Sequence, residues 1–117
     1  MSTITRIDPG TRMSDAVIHG DTIYLAGQVA DAAKGKSTRE QAIDVLAQID
    51  ALLAKCGSSK SKILMTTIYL ANIGDFAEMN AVWDAWVDKA NPTARATVEA
   101  RLAAPAYSIE IVCIAAR

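Results

Sequence analysis

Two stretches of this chain have the length and β-branched content of strands, yet are apolar on both faces. Ile63 to Ala71 is one; Tyr107 to Ala115 is the other, and it carries one carboxylate, Glu110, set among Ile109, Ile111 and Val112. Strands of that kind belong inside a sheet covered on both sides. A charge embedded in one needs a partner. A third run, Arg95 to Leu102, alternates instead: Ala96, Val98, Ala100 and Leu102 share one face, and Arg95, Thr97, Glu99 and Arg101 the other. Arg95 and Glu110 are the candidates for a small-anion site, and a structural ion pair is the alternative reading of the same two residues.

The remaining elements follow from turn and cap signals. Thr3 to Ile7 suits a short strand stopped by Asp8-Pro9-Gly10. Ala16 to Ile18 and Thr22 to Val29 flank His19-Gly20-Asp21, a hairpin connection in which His19 reads as an ordinary polar loop residue. Lys34-Gly35-Lys36 marks a loop. Thr38 with Gln41 fits a capping box, after which Ala42, Leu46, Ile49, Leu52, Leu53 and Cys56 recur at helical spacing up to a stop at Gly57. Asp75 with Glu78 fits a second box. Phe76, Met79, Trp83 and Trp86 or Val87 then line one stripe of a helix ending near Asn91-Pro92, and read as core against a sheet rather than as a ligand platform.

The order is β-β-β-α-β-α-β-β, an α+β arrangement in one domain, residues 1–117. Two helices cover one face of the sheet, so the apolar second face calls for another copy of the chain. A 51% hydrophobic content in 117 residues points the same way. Clefts between copies are then where Arg95 and Glu110 would point.

Several function classes recede on composition. Net charge is −1 and pI about 5.7, and the nearest approach to a basic patch, Lys55, Lys60 and Lys62, surrounds a turn. A nucleic-acid footprint needs far more positive charge. The lone His19 and the separated Cys56 and Cys113 have no metal-ligand spacing, and both cysteines read as small buried hydrophobes. No charged-then-apolar leader and no run of membrane-spanning length is written, so the expected setting is cytoplasmic, away from any membrane.

Arg95-x-x-Val98-x-x-x-Leu102 followed by Ile109-Glu110-Ile111 resembles the signature of the RidA/YjgF family. Leu25-Ala26-Gly27-Gln28, Asp75-Phe76 and Asn80-Ala81-Val82-Trp83 resemble it as well, and the likeness runs the length of the chain. Arg12 to Val17 and Trp83 to Trp86 look closer to the YoaB-like branch than to the archetypal enzymes. The resemblance implies a chorismate mutase-like fold with a mixed sheet and two helices on one face, a homotrimer with its sheets facing inward, and pockets between subunits. It implies hydrolysis of small 2-imino acids and enamines to 2-oxo acids and ammonia. Carried over to matching positions, Arg95 would hold the substrate carboxylate and Glu110 would help a water attack. Thr97, Gly27 and Asn80 would complete the pocket wall. For Asn80, an exposed helical position is the alternative.

The chain departs from the archetype in places. Met13 stands where a pocket tyrosine is usual, and Ala26 replaces the serine before Gly-Gln. Pro92 lies one place early relative to Arg95, Leu102 lacks its following proline, and Val112 replaces a second glutamate. The anion anchor remains while substrate-shaping groups change. Such a hydrolysis needs no metal or organic cofactor. A non-catalytic module binding a small carboxylate or 2-oxo acid is the competing function.

Overall fold

The computed structural model describes residues 3–117, and in it the two doubly apolar runs become neighbouring interior strands. The order is β1 (Ile4–Ile7), β2 (Ala16–His19), β3 (Thr22–Leu25), β4 (Gln28–Val29), α1 (Thr38–Lys55), β5 (Ile63–Leu70), α2 (Phe76–Trp86), β6 (Ala94–Glu99) and β7 (Ile109–Ala116). The strands lie side by side as β1-β2-β3-β7-β5-β6, with β4 also on β7. The β5–β6 pair is parallel, joined through α2, and the other pairs are antiparallel, so the sheet is mixed.

Both helices pack on one face. The core there is Ile23, Ile68, Leu70, Ile109 and Ile111 from the sheet, against Leu46, Ile49 and Leu53 of α1 and Met79 of α2, all essentially inaccessible. The other face carries Val17, Tyr24, Met65, Tyr69, Val98, Val112 and Ile114 with no helix over them. Tyr24 and Val98 there remain 47% and 42% exposed, a large apolar surface for a chain of this size. Among the described residues no helix is long and apolar enough to cross a membrane.

Four expectations are corrected in detail. The expected strand Thr22 to Val29 breaks at Ala26-Gly27, because β3 and β4 pair with β7 in registers offset by one residue. The first capping box lies one residue earlier: the Ser37 hydroxyl accepts from the Glu40 N–H and donates to its carboxylate. Thr38 is instead buried and donates to Asp75 at 2.8 Å, while Gln41 bridges Lys36, Ala106 and Ser108. Asp75 and Glu78 therefore form no box of their own: Asp75 is engaged by Thr38, and Glu78 accepts from the Arg39 N–H. Finally, α2 stops at Trp86, since Asp88 captures the Ala90 N–H and the Asn91 amide in a turn.

The stop at the end of α1 is as expected. Gly57 takes φ +76°, its N–H reaches the Ala54 carbonyl, and the Ser58 N–H reaches that of Leu53. That double return satisfies carbonyls the helix leaves open, and its left-handed position favours glycine.

Candidate functional site

Arg95 lies on β6, an edge strand, in register with Thr66 of β5. Thr66 is fully buried on the helix side, and aligned residues of paired strands point the same way, so Arg95 points toward the helices. Its guanidinium carbon stands 5.2 Å from the ring centre of Trp83 and 5.8 Å from that of Phe76. Phe76 and Trp83 are two helical turns apart and so share a stripe of α2. Asn80 lies between them on that stripe and is half-buried. Among the described residues the ion pair is Lys55–Asp8, at the surface, and no carboxylate comes within ion-pair distance of Arg95.

Thr97 follows two residues on, on the same face. Its hydroxyl oxygen is buried and has no hydrogen-bond partner. Unpaired buried hydroxyls are costly, so each invites an account of what reaches it.

Glu110 faces the other way. On β7 it is in register with Tyr69, between the buried Ile109 and Ile111, and so points out of the uncovered face. It opens onto a cavity of about 290 Å³ that Tyr69, Arg101, Leu102 and Val112 also line. Gly27, at the break between β3 and β4, lies against its carboxylate: a methyl group on Gly27 would fall on the Glu110 oxygen. This close approach is what glycine permits there.

Arg95 and Glu110 therefore do not meet within one chain, and the structural ion pair between them is not formed in it. Met13 is also remote. It is exposed on the loop joining β1 and β2, at the opposite edge of the sheet from β6, about 20 Å away at the usual strand spacing. The expected residues fall into two groups: Arg95, Thr97 and Asn80 on the helix side of one edge, and Glu110 with Gly27 on the uncovered face.

Three participants were not expected from sequence. Trp83 is core, as expected, but it also meets the guanidinium; Phe76 is 39% exposed and is no part of the deep core. Their seven-residue spacing was the available signal. Arg101, which shares the Glu110 cavity, lies beyond the end of β6 where alternation no longer applies. The cysteines are inert by environment. Burial pushes the Cys113 thiol up to about 11 against a small opposing effect of Thr66, and burial raises Cys56 too.

Fold and site define an α+β protein of the YjgF/L-PSP kind, two helices on a mixed seven-stranded sheet. The family model described as "Endoribonuclease L-PSP" matches residues 3–117. A RutC family protein of Haemophilus influenzae is 50% identical over 113 residues, spanning 97% of each chain. The RutC family protein YoaB of Escherichia coli is 49% identical over 116 residues, spanning 97% of this chain and 98% of the other. The crystal structure of a YjgF family member from Neisseria meningitidis matches with a TM-score of 0.95 at 46% identity, covering 98% of this chain and 95% of that one. The chain belongs to the RidA/YjgF family, in its YoaB-like branch.

Proposed function

We propose that this protein hydrolyses small 2-imino acids, and the enamines in equilibrium with them, to 2-oxo acids and ammonia, in pockets formed where copies of a homotrimer meet. The observation that carries the reading is the separation of the two charged residues. Among the described residues Arg95 has no acidic partner, and it sits at an edge; Glu110 opens from an uncovered apolar face. Packing the uncovered face of one copy against the β6 edge of the next buries apolar surface and brings an arginine to a carboxylate. Contacts between two different patches close into rings, and three copies with sheets inward make such a ring.

The chemistry follows from the groups. The guanidinium presents a planar pair of N–H donors that matches a carboxylate, and it stays charged at any cellular pH. With the substrate held there, Glu110 of the adjoining copy takes a proton from a water molecule as its oxygen bonds to C2 of the imine. Passing that proton to the nitrogen gives a carbinolamine. The carboxylate then takes the new hydroxyl proton as the C2=O bond forms and returns it to the nitrogen, so that the C2–N bond breaks and ammonia leaves a 2-oxo acid. General-base assistance of this sort contributes about 100- to 10,000-fold.

The test generates 2-iminopropionate from alanine with an amino-acid oxidase and follows its loss. Wild type should accelerate hydrolysis, and Arg95→Ala should remove most of that acceleration, about 100-fold, while the protein remains folded. Arg95→Lys should rescue poorly, since an ammonium lacks the fork. A wild type that accelerates nothing but binds pyruvate through Arg95 would replace the enzyme with a binding module.

A further inference from the structure

Arg95 is held by rings, and the rings are braced. Trp83, buried, stacks on Trp86 with centroids 5.3 Å apart and planes tilted by 51°. The Trp86 indole N–H donates to the Asp50 carboxylate of α1 at 2.8 Å. The Lys60 ammonium lies 5.2 Å from the Trp86 ring centre and donates to the Trp86 carbonyl at 2.6 Å. A continuous line of contacts thus runs from α1 through Trp86 and Trp83 to the guanidinium, with Phe76 on its other contact.

The kind of contact matters. An ion pair would occupy the N–H fork, which is the part a substrate carboxylate needs. Aromatic rings attract the cation through its charge and flat face, leaving hydrogen-bond donors at the edge. The site consequently fixes a long, flexible side chain without using the atoms it needs for binding, and the ordering is done before ligand arrives.

We propose that Trp83, with Phe76, is the positioning element of the anion anchor: the two rings preset Arg95 for carboxylate capture. The proposal rests on the reading that Arg95 binds a carboxylate, and it extends that reading to residues whose own atoms need not touch the ligand.

The experiment measures pyruvate affinity by calorimetry for wild type, Arg95→Ala, Trp83→Leu, Trp83→Phe and Phe76→Leu, with melting temperature and oligomeric mass recorded for each. Trp83→Leu should weaken binding about tenfold, equivalent to roughly 1.4 kcal/mol. Trp83→Phe, which keeps a ring, should recover most of it, and Phe76→Leu should lose a few-fold. In the Arg95→Ala background, Trp83→Leu should cost nothing further, because its effect passes through the guanidinium. If Trp83→Leu fails to fold, Phe76→Leu at the half-exposed start of α2 decides. Loss of binding in Arg95→Ala with Trp83→Leu and Phe76→Leu both at wild-type affinity would overturn the positioning role and leave the anchor standing. So would Trp83→Phe binding as weakly as Trp83→Leu. Undiminished affinity in Arg95→Ala would overturn the anchor itself, and the positioning role with it.

Discussion

Arg95 and Glu110 belong to one sheet and point to opposite sides of it. Arg95 is in register with Thr66, which is buried beneath the helices, and Glu110 with Tyr69, which faces out of the uncovered surface. The side-chain period of a strand is two, so no rotamer change brings the pair together; one strand would have to slip by a residue and expose its core face. Joining them requires a second copy. The uncovered apolar face and the unpaired edge of β6 supply the surfaces on which one could dock.

The assembly is accessible to direct measurement. Light scattering at micromolar concentration should return the mass of three chains. Val98→Glu puts a charge on the uncovered face of the edge strand, where the native side chain is 42% exposed in a single chain. It should yield folded monomers or weakened trimers. A wild-type protein that remains a stable monomer would remove the interface pocket.

Gly27→Ala tests the contact with Glu110. The added methyl group collides with the carboxylate, which must swing away from its place. Displacing a reacting group by about an ångström costs about 100-fold in rate. Activity should therefore fall while the fold survives, and the same substitution in a Glu110→Gln protein should cost little more. Equal losses in both backgrounds would show that Gly27 matters for the chain path alone.

Thr97→Val distinguishes a ligand-binding hydroxyl from a leftover one. The two side chains have nearly the same shape, and the Thr97 oxygen is buried without a partner. Removing it should raise stability by roughly 1 kcal/mol, since an unmade hydrogen bond is relieved. Pyruvate affinity should drop a few-fold if the oxygen serves the ligand. Unchanged affinity with a raised melting temperature would leave Thr97 a wall residue only.

What the sequence disclosed depended on how local the cause was. The interior places of β5 and β7 were legible because their residues are apolar on both faces. The Gly57 stop was legible because its cause lies within one turn. Misplaced boundaries had distant causes. Ser37–Glu40 and Thr38–Gln41 both fit the capping template, and what distinguishes them is that Thr38 is taken by Asp75, on the far side of β5 in sequence. The break at Ala26-Gly27 answers to the register in which the chain pairs with β7, more than eighty residues further on. The two charged candidates, Arg95 and Glu110, stood out from chemistry, as a fork-bearing cation and a carboxylate embedded in an apolar strand. Their opposite facing was hidden, because alternation orders residues within each strand while the register between strands sets which faces coincide.

One pH dependence follows from the turn after α2. Asp88 accepts from the Ser61 hydroxyl, the Asn91 amide and the Ala90 N–H, and these bonds, the Ser61 bond foremost, hold its carboxyl down to about 2 from an ordinary 3.8. A depressed folded-state value means stabilisation that is complete above about pH 4 and lost as pH falls toward 2. The melting temperature of Asp88→Ala should lie below that of wild type at pH 6, and the gap should close between pH 4 and 2. A gap independent of pH over that range would show that charge on Asp88 contributes nothing.

The central claim, that each site takes Arg95 from one copy and Glu110 from another, is tested most directly by mixing two inactive proteins. Arg95→Ala and Glu110→Gln subunits, each prepared alone, should show little imine hydrolysis. Unfolded together, mixed in equal amounts and reassembled, they form interfaces of which about one quarter unite an intact Arg95 with an intact Glu110, so activity should recover to about one quarter of wild type. Hydrolysis that stays at the level of the separate variants, in reassembled mixed trimers, would contradict a site shared between copies.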